Sequence, residues 1–351
     1  ALKGKNRPFF ERKLTENIKK ALNEKTKKIY KRYGKIICET EKTQEIKETL
    51  EKIPGIAFFA FAEKTKLHIE EIKKAAEEIL KNKKEKTFTI KTKRTNKKFP
   101  QTSLQVNKEI AEYVEKKSGK SGELKNAEIT LFVEIGEKNA FLYTEKTKGI
   151  GGLPTGTSDK TICLLSGGID SPAASFMMMK RGCENILVHF YNDKIQKNTD
   201  KIEELAEQLT KYQLHTKLYL IPFGDLQQEL IKKVPAKMRM IVYRRYMIKI
   251  ANKIAENEKI EALVMGDNLG QVASQTIANL ACVYFASKIP IFSPLIGMNK
   301  EEIMKLAQQI GTYDISIKKY ADCCSYFIPK HPETRAKLQI IEKIEKEINE
   351  K

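Results

Sequence analysis

Residues 161–178 read TICLLSGGIDSPAASFMM, an apolar run that reaches a Ser-Gly-Gly turn and continues into a helical pattern. A strand, a glycine loop and a helix in this order predict one unit of a parallel α/β sheet. Backbone N–H groups in such a loop and at the helix N-terminus bind anions, and Asp170, Ser171 and Pro172 suit the first helical turn. We therefore predict a phosphate-binding loop at residues 166–171.

This loop differs from a Walker loop, whose pattern GxxxxGK[ST] places a lysine against the β- and γ-phosphates. No lysine follows the glycines here, and Asp170 stands in the loop instead. The other Gly-Lys-Ser, at 119–121, has Val114 where the first glycine of the pattern belongs. The sequence thus predicts a phosphate site of a different kind.

The rest of the chain shows two different patterns of predicted helices and strands. From residue 161 onward helices alternate with strand candidates, which predicts a parallel sheet with crossovers; these candidates are 161–165, 186–190, 217–221, 261–265 and 290–292. Before residue 149 the pattern mixes helices and strands. We predict helices at 8–30, 43–52, 65–83 and 99–114, strands at 35–39, 55–62 and 86–94, and a hairpin over 128–147. The glycine-rich segment 149–160 has the composition of a linker.

Charge is concentrated in the first half of the chain. Residues 1–150 carry 37 Lys and Arg against 22 Asp and Glu, whereas residues 151–351 carry 28 against 23. This balance favours a polyanion partner, most simply nucleic acid, although a lysine-rich solvated surface gives the same composition. No apolar run approaches the roughly 20 residues of a membrane span. Six cysteines without CxxC spacing and four histidines indicate a reducing cytoplasm and no metal site.

The basic strand TFTIKTKRTNKKFPQTS (87–103) is the strongest candidate for a nucleic-acid contact. Five cations fall within eight residues, and contacts of this kind to phosphate give affinity with little sequence reading. The alternative is a solvated basic strand edge. The candidate RNA-binding residues here are Lys91, Lys93, Arg94, Lys97 and Lys98.

Two further segments carry polar groups in the second half. LVMGDNLGQVASQT (263–276) follows a strand, at the sheet edge where open α/β folds bind ligands. KMRMIVYRRYM (237–247) supplies arginines that suit RNA, nucleotide phosphate or a solvated helix face; we assign Arg244 and Arg245 to RNA. The loop YADCCSYFIPKHPETR (320–335) places Cys323 and Cys324 side by side, either as an incidental pair or as a thiolate or persulfide carrier.

Several of these strings resemble known families. SGGIDSP is similar to the PP-loop of the ATP pyrophosphatases, and 87–103 resembles the core of a THUMP RNA-binding domain. Together the chain resembles the tRNA 4-thiouridine synthetase (ThiI) family from residue 1 to about 335. The matching strings, in family order, are ALKGKNRPFFERKL, FTIKTKRTNKKFP, GGLPTG, LLSGGIDSP, MGDNLGQVASQT, PLIGMNKEEI and DCC.

The resemblance implies an α/β protein in three parts: an α+β ferredoxin-like domain at 1–60, an α+β THUMP domain at 61–155, and a parallel-sheet PP-loop ATP pyrophosphatase domain at 156–351. It implies ATP-dependent adenylation of uridine 8 in tRNA, with Mg²⁺, followed by sulfur insertion. The implied catalytic residues are Asp170, Lys300 and Cys324, with Cys323 as the alternative cysteine. The implied nucleotide-binding residues are Leu165, Ser166, Gly167, Gly168, Asp170, Ser171, His189, Phe190, Gly266, Asp267 and Gln275.

The resemblance also implies partners. We expect tRNA, a cysteine desulfurase or other donor of persulfide or sulfide, no membrane, a cytoplasmic location and a homodimer. The rhodanese domain of many members is not expected after residue 335, and Met240 and Tyr243 stand where other members carry cluster-binding cysteines. A different RNA-thiolating PP-loop enzyme and a non-catalytic RNA-binding protein are the alternatives.

Overall fold

The computed structural model describes residues 4–32, 34–195, 198–320, 329 and 331–349. They divide into two compact units. The first unit comprises Ala1–Ala21, Lys52–Ile56 and Ile150–Lys351, and the second comprises Leu22–Glu51 and Ala57–Gly149. The N-terminal helix therefore belongs with the C-terminal part of the chain.

The α-helices of the described residues are, in chain order, α1 (Arg7–Leu22), α2 (Thr43–Leu50), α3 (Ile69–Lys81), α4 (Ser103–Ser118), α5 (Asp170–Lys180), α6 (Asp200–Gln213), α7 (Gly224–Lys233), α8 (Arg239–Glu258), α9 (Ile277–Tyr284), α10 (Lys300–Gln309), α11 (Tyr313–Ser316) and α12 (Leu338–Asn349). In the described part of the chain, none of them has the length and apolar character needed to cross a membrane.

The strands are β1 (Lys28–Arg32), β2 (Lys35–Glu39), β3 (Phe58–Phe59), β4 (Glu63–Lys66), β5 (Thr87–Arg94), β6 (Ser121–Gly122), β7 (Ile129–Ile135), β8 (Asn139–Tyr143), β9 (Thr147–Lys148), β10 (Lys160–Leu164), β11 (Glu184–Tyr191), β12 (Leu218–Pro222), β13 (Leu263–Val264) and β14 (Ile291–Phe292).

The first unit is built on a five-stranded sheet in the order β12-β11-β10-β13-β14. Every neighbouring pair in it is parallel, which confirms the predicted α/β sheet. The chain leaves β10 toward β11 on one side and later returns to β13 on the other. A crevice opens at the carboxyl ends of β10 and β13, where the strand order reverses, and open α/β sheets bind ligands at this position.

Both faces of this sheet are covered, which explains the continuous apolar run of β11. Ile186 and Val188 pack on one side with α7, α8, α9 and α12, whereas Leu187 packs on the other side with α5, α6 and α10. A strand buried on both faces requires apolar residues at consecutive positions rather than at alternate ones.

From Ile150 onward, the predicted linker at 149–160 is a packed part of the first unit. Leu153 N–H donates to the carbonyl of Lys180 at 2.9 Å, and Gly156 N–H donates to the carbonyl of Gly182 at 2.8 Å. Asn17 of α1 donates from Nδ2 to the carbonyl of Thr155 at 3.0 Å. The linker prediction was therefore wrong, because the small residues allow close packing on the end of α5 and against α1.

In the second unit a five-stranded sheet has the order β4-β8-β7-β5-β6. Helices α3 and α4 cover one face of it, where Phe88, Leu131 and Val133 form the core with residues of both helices. Helix α4 begins at Ser103 and is capped by Thr102, whose hydroxyl accepts from Gln105 N–H while the Gln105 side chain accepts from Thr102 N–H. This reciprocal cap explains the sharp start of the helix.

Two elements are shorter in the structure than the sequence predicts. The helix expected over 8–30 ends at Leu22, because Asn23 has a positive φ of 39° and residues 28–32 pair antiparallel with β2. The strand expected over 55–62 is reduced to Phe58–Phe59, which pairs with Thr147–Lys148. The apolar residues of 55–62 did not indicate how few of them would pair with another strand.

Helix α12 is held to α8 by a buried ion cluster. Arg245 donates from Nε and Nη2 to Glu345 at 2.9 and 2.8 Å, and Lys249 Nζ lies 2.9 Å from the same carboxylate. Burial acts to raise the pKa of Glu345, but hydrogen bonds and charges from Arg245 and Lys249 outweigh it and lower the pKa. The carboxylate is therefore ionised and depends on both cations.

We expect Glu345→Ala to lower the melting temperature measured by calorimetry by at least about 6 °C, because removing one partner of a buried ion pair costs roughly 3–5 kcal/mol. Glu347, which is exposed on the same helix, is the matched control. Equal melting temperatures for Glu345→Ala and Glu347→Ala would show that the cluster does not stabilise the unit.

Candidate functional site

A cavity of about 400 Å³ opens in the first unit at the carboxyl ends of β10, β11 and β13. This volume lies within the range typical of small-molecule sites. The predicted nucleotide-binding residues that line it are Leu165, Ser166, Asp170, Ser171, His189, Phe190, Gly266, Asp267 and Gln275. Gly167 and Gly168 belong to the adjoining loop. The structure thus gathers residues that lie up to 110 positions apart in the chain.

The phosphate loop is closed by its own serine hydroxyls. Ser171 Oγ accepts from Ser166 N–H at 2.8 Å and lies 3.0 Å from Ser166 Oγ, and Gly168 N–H donates to Ser166 Oγ at 3.3 Å. Helix α5 begins at Asp170, so its N-terminus and the loop meet at the cavity. The backbone N–H groups and the helix dipole favour an anion there.

Gly266 allows strand β13 to approach the loop. A Cβ built on Gly266 would lie 2.7 Å from Ser171 N and 2.9 Å from Asp170 C, closer than side-chain carbons approach backbone atoms. Glycine is therefore required at this position by the main chain of the neighbouring element.

Asp170 is bracketed by two polar side chains from distant elements. Lys300 Nζ lies 2.7 Å from Oδ1, and Gln271 Nε2 donates to Oδ2 at 2.9 Å. Lys300 is the first residue of α10, where Asn299 and Glu302 form a reciprocal N-cap that fixes the helix start. Of the three predicted catalytic residues, the two that the structure describes are thus in direct contact.

Arg244 lies inside the cavity rather than on an RNA-facing surface. Its Nη2 donates to both carboxylate oxygens of Asp267 at 2.7 and 2.6 Å, and Tyr284 O–H donates to Asp267 at 2.8 Å. Burial, and then the Asp267 carboxylate, raise the pKa of Tyr284, so its hydroxyl remains a donor. Because Asp267 already accepts these bonds, we expect it to orient Arg244.

The RNA-binding role predicted for Arg244 and Arg245 does not fit these positions. Arg244 is 9% exposed and Arg245 is 3% exposed, and each is paired with a buried carboxylate. The arginines of a helix look alike in the sequence whether they face solvent or pair inside the fold.

Gln275 offers an unsatisfied acceptor at the cavity. Its Nε2 donates to Asp267 Oδ1 at 3.3 Å, whereas the buried Oε1 has no hydrogen-bond partner among the described residues. Buried polar atoms are nearly always bonded, so an unbonded one at a cavity indicates a ligand that donates a hydrogen bond.

Sequence reasoning missed the apolar wall of the cavity, to which Met240, Met247 and Met265 contribute. Met240, Arg244 and Met247 recur at intervals of four and three residues along α8, so helical spacing placed them on one face. Their spacing was the available signal, and flexible methionines suit a flat aromatic ligand.

Cys323 and Cys324 lie outside the described residues. On either side of them the chain is at the site: Tyr320 contacts His189, and Pro332 and Glu333 line the cavity. Cys163, by contrast, is buried beneath the loop, and burial raises its pKa to about 12. Its thiol is therefore unsuited to nucleophilic chemistry.

The predicted RNA-binding residues of the second unit differ in their surroundings. The exposed ones are Lys91, Lys93, Lys97 and Lys98. Arg94 is partly buried, and its Nη1 donates to the carbonyls of Phe99 and Gln101 at 3.1 and 2.5 Å. Arg94 therefore stabilises the turn before α4.

Further lysines and aromatic rings meet on the sheet of the second unit. Lys93 is the register partner of Glu134, and Lys35 forms an ion pair with the same carboxylate. Lys146 Nζ lies 3.9 Å from the ring centroid of Phe132. Burial, and then the charges of Lys93 and Lys146, lower the pKa of Lys35 to about 8, so three ammonium groups lie near one another on this face beside an aromatic surface.

We expect Gly266→Ala to displace the start of α5, because overpacking of this kind costs about 1–3 kcal/mol. Calorimetry should show a lower melting temperature, and hydrogen exchange should be faster in residues 166–171. Gly297→Ala is the control, since a Cβ there meets no atom within 4 Å. Unchanged exchange in Gly266→Ala would contradict the close approach.

Three family models match the chain. Residues 156–349 match the model described as thiamine biosynthesis protein (ThiI), residues 67–145 match the THUMP domain, and residues 1–60 match the ThiI ferredoxin-like domain. The predicted order of ferredoxin-like, THUMP and PP-loop parts is thereby confirmed.

Curated relatives cover nearly the whole chain. A protein of Thermoanaerobacter pseudethanolicus named "Probable tRNA sulfurtransferase" is 46% identical over 99% of this chain and 92% of its own length. One of the same name from Thermus thermophilus is 40% identical over 97% of this chain and 85% of its own.

A solved structure has the same fold throughout. The crystal structure of a 4-thiouridine synthetase–RNA complex with bound ATP is 34% identical, with a TM-score of 0.93, and the match covers 100% of this chain and 92% of that one. The chain belongs to the ThiI family.

Proposed function

We propose that this chain is a tRNA sulfurtransferase that uses ATP to convert uridine 8 of tRNA into 4-thiouridine. The observation that carries the proposal is the phosphate loop at the strand-order reversal, with the Asp170–Lys300 ion pair at its edge. The names of the relatives and the RNA and ATP of the solved complex support the same reaction.

The cavity suits ATP. The N–H groups of the loop favour the polyphosphate, while methionine side chains form an apolar wall for a base. The unbonded Oε1 of Gln275 is placed to accept a hydrogen bond from the amino group of adenine. Arg244, oriented by Asp267, supplies a fixed positive charge in the same cavity.

The site contains one carboxylate that is suited to hold Mg²⁺. Among the described residues no cluster of three or more His, Cys, Asp and Glu side chains is arranged for a metal. In nucleotide sites, however, Mg²⁺ is commonly held by one or two carboxylates together with phosphate oxygens. Asp170 is the carboxylate at this loop, and the bound ion would neutralise charge on the polyphosphate.

In the first reaction, adenylation, the phosphate loop and the Asp170–Lys300 ion pair have different roles. The uracil O4 attacks the α-phosphorus, the bond from that phosphorus to the bridging oxygen breaks, and pyrophosphate leaves. Donors preorganised around a developing negative charge lower the barrier to such a step. The loop receives pyrophosphate as a whole, so it has no need of a lysine that separates β- from γ-phosphate. Lys300 balances the charge of Asp170 and lies beside the leaving group.

Adenylation activates C4 for sulfur, because AMP is a far better leaving group than the uracil oxygen. The terminal sulfur of a persulfide on Cys324 then attacks C4, and AMP departs as the C4–O bond breaks. A second thiol attacks Cys324 Sγ, so that the S–S bond breaks, 4-thiouridine is released and Cys324 remains in a disulfide with that thiol; Cys323 is the alternative carrier.

We propose a cysteine desulfurase or another source of persulfide as the donor to this cysteine. Sulfide, the alternative source, cannot form a persulfide without an oxidant and would instead attack C4 of the adenylated uridine directly. We also propose that the enzyme is a homodimer and acts in the cytoplasm, with which its free thiols at Cys38, Cys163, Cys183 and Cys282 agree.

The second unit is proposed to bind tRNA. Its exposed lysines at 91, 93, 97 and 98 provide contacts to phosphate, and the positive face near Phe132 adds an aromatic surface. Such contacts hold the substrate without reading its sequence.

Asp170→Asn and Lys300→Gln should each reduce tRNA-dependent pyrophosphate release at least about 100-fold, since each removes a charge at the reacting phosphate. Affinity for tRNA, measured by filter binding, should change less than about threefold. Lys305→Gln, an exposed change on the same helix, is the control. Parallel loss of tRNA binding would show that the pair is structural.

Cys324→Ser should retain pyrophosphate release and lose thiolated nucleoside, because the serine hydroxyl cannot carry a persulfide. Mass analysis of digested tRNA, with a desulfurase and cysteine supplied, measures the product. Full thiolation by Cys324→Ser together with none by Cys323→Ser would assign the chemistry to Cys323 instead.

Replacing Lys91 and Lys93 by glutamine should weaken tRNA binding, and the slope of log K against log salt should fall by about 0.7–0.9 for each phosphate that the protein no longer neutralises. Lys116→Gln/Lys117→Gln, at the far end of α4, is the control pair. An unchanged slope would place the RNA elsewhere.

A further inference from the structure

Three carboxylates among the described residues line the cavity, and two of them have cationic partners at hydrogen-bonding distance. Asp170 lies 2.7 Å from Lys300 Nζ at the phosphate loop, and Asp267 accepts from Arg244 at 2.6 Å. The third is Glu333, from the C-terminal part of the first unit. Neither the phosphate loop nor the pair of Asp267 and Arg244 accounts for this third carboxylate.

The main chain around Glu333 is anchored to two other elements of the first unit. Glu333 N–H donates to the carbonyl of Lys237 at 3.0 Å, and Asn279 Nδ2 donates to the carbonyl of Glu333 at 2.7 Å. Thr276 Oγ1 donates to the carbonyl of Thr334 at 2.7 Å. The backbone that carries the Glu333 side chain is therefore fixed by the turn before α8 and by the start of α9.

The two carboxylate oxygens of Glu333 have different partners. Oε1 accepts from Arg335 N–H at 2.9 Å and from Thr334 N–H at 3.1 Å. Oε2 lies 3.7 Å from Lys237 Nζ, which is too far for a direct hydrogen bond. The bond from Arg335 N–H lowers the pKa of Glu333, and together with the charge of Lys237 it outweighs desolvation. The carboxylate is thus an ionised acceptor that is held by one oxygen, with the other oxygen beside a cation.

This arrangement suits a ribose hydroxyl. ATP in the cavity needs hydrogen-bond partners for its sugar as well as for its polyphosphate and base, because binding removes the sugar hydroxyls from water. Carboxylates accept from ribose hydroxyls in other nucleotide sites of α/β folds. The Glu333 side chain keeps 21% of its surface exposed, so a ligand can reach Oε2, and the Lys237 ammonium can donate to the same hydroxyl oxygen.

We propose that Glu333 is a specificity-determining residue that accepts a hydrogen bond from a ribose hydroxyl of the bound nucleotide, and so selects ribonucleotides over deoxyribonucleotides. A nucleotide without that hydroxyl displaces water from Oε2 and offers no donor in return, which is the physical basis of the selection. Lys237 balances the charge of the carboxylate once water is displaced. The inference rests on the proposed function for the identity of the ligand, an adenine nucleotide.

Nucleotide binding in the absence of tRNA tests the assignment, because it requires no turnover. Calorimetry of the full chain with Mg²⁺ compares ATP, 2′-deoxy-ATP and 3′-deoxy-ATP. We expect the unchanged protein to bind ATP at least about tenfold more tightly than one of the two deoxynucleotides, the scale of a hydrogen bond to a charged group. Glu333→Ala should reduce this ratio to less than about threefold, and Glu333→Gln, which keeps an uncharged acceptor, should give an intermediate ratio. Glu207→Ala, an exposed change on α6, is the control.

Equal affinities of the unchanged protein for the three nucleotides would overturn the proposal, as would an undiminished ratio in both Glu333 variants. A loss of affinity in Glu333→Ala that is the same for all three nucleotides would assign the carboxylate to the fold or to the adenine amino group instead. Glu333→Gln retains an acceptor for the main-chain N–H groups, so it decides the question even if Glu333→Ala disrupts the segment.

The same titrations separate this assignment from the proposed function. If the unchanged protein binds ATP but forms no thiolated nucleoside, the proposed function fails, while the affinity ratios still decide the role of Glu333. Failure of the unchanged protein to bind ATP would overturn both.

Discussion

The close approach of Gly266 to the backbone of Ser171 sets the geometry of the whole site. It lies where the sheet reverses its strand order, and it brings the polar segment after β13 against the phosphate loop and the start of α5. From this contact follow the bond of Gln271 to Asp170 and the position of Asp267, which in turn orients Arg244. A single methyl group at 266 would disturb all of these relationships.

Local sequence was sufficient to predict the loop and its neighbours. The strand, loop and first helical turn at 161–172 are encoded by adjacent residues. The predictions that failed concern residues whose partners are remote: Arg245 meets Glu345 a hundred positions later. The prediction of a linker at 149–160 failed for a similar reason, because a glycine-rich composition does not show which residues the glycines pack against.

Basic side chains that look equivalent in the sequence have different surroundings in the structure. Arg94 and Arg245 are used inside the fold, Arg244 lines the cavity, and the exposed lysines around Lys93 are the ones proposed to contact RNA. Arginine is better suited than lysine to buried, multidentate contacts, whereas surface lysines provide a screened, adaptable attraction for phosphate. In the proposed function, the cations of the first unit act in the chemistry and those of the second unit bind the substrate.

In the proposed function, AMP is transferred from ATP in the cavity to tRNA before sulfur is added. A Cys323→Ser/Cys324→Ser double variant, incubated with tRNA and ATP labelled at the α-phosphate, tests it most directly because sulfur transfer is blocked. We expect labelled AMP bound covalently to tRNA, with one pyrophosphate released for each AMP transferred. Label that never enters tRNA, while the unchanged enzyme thiolates the same substrate, would contradict this order of events.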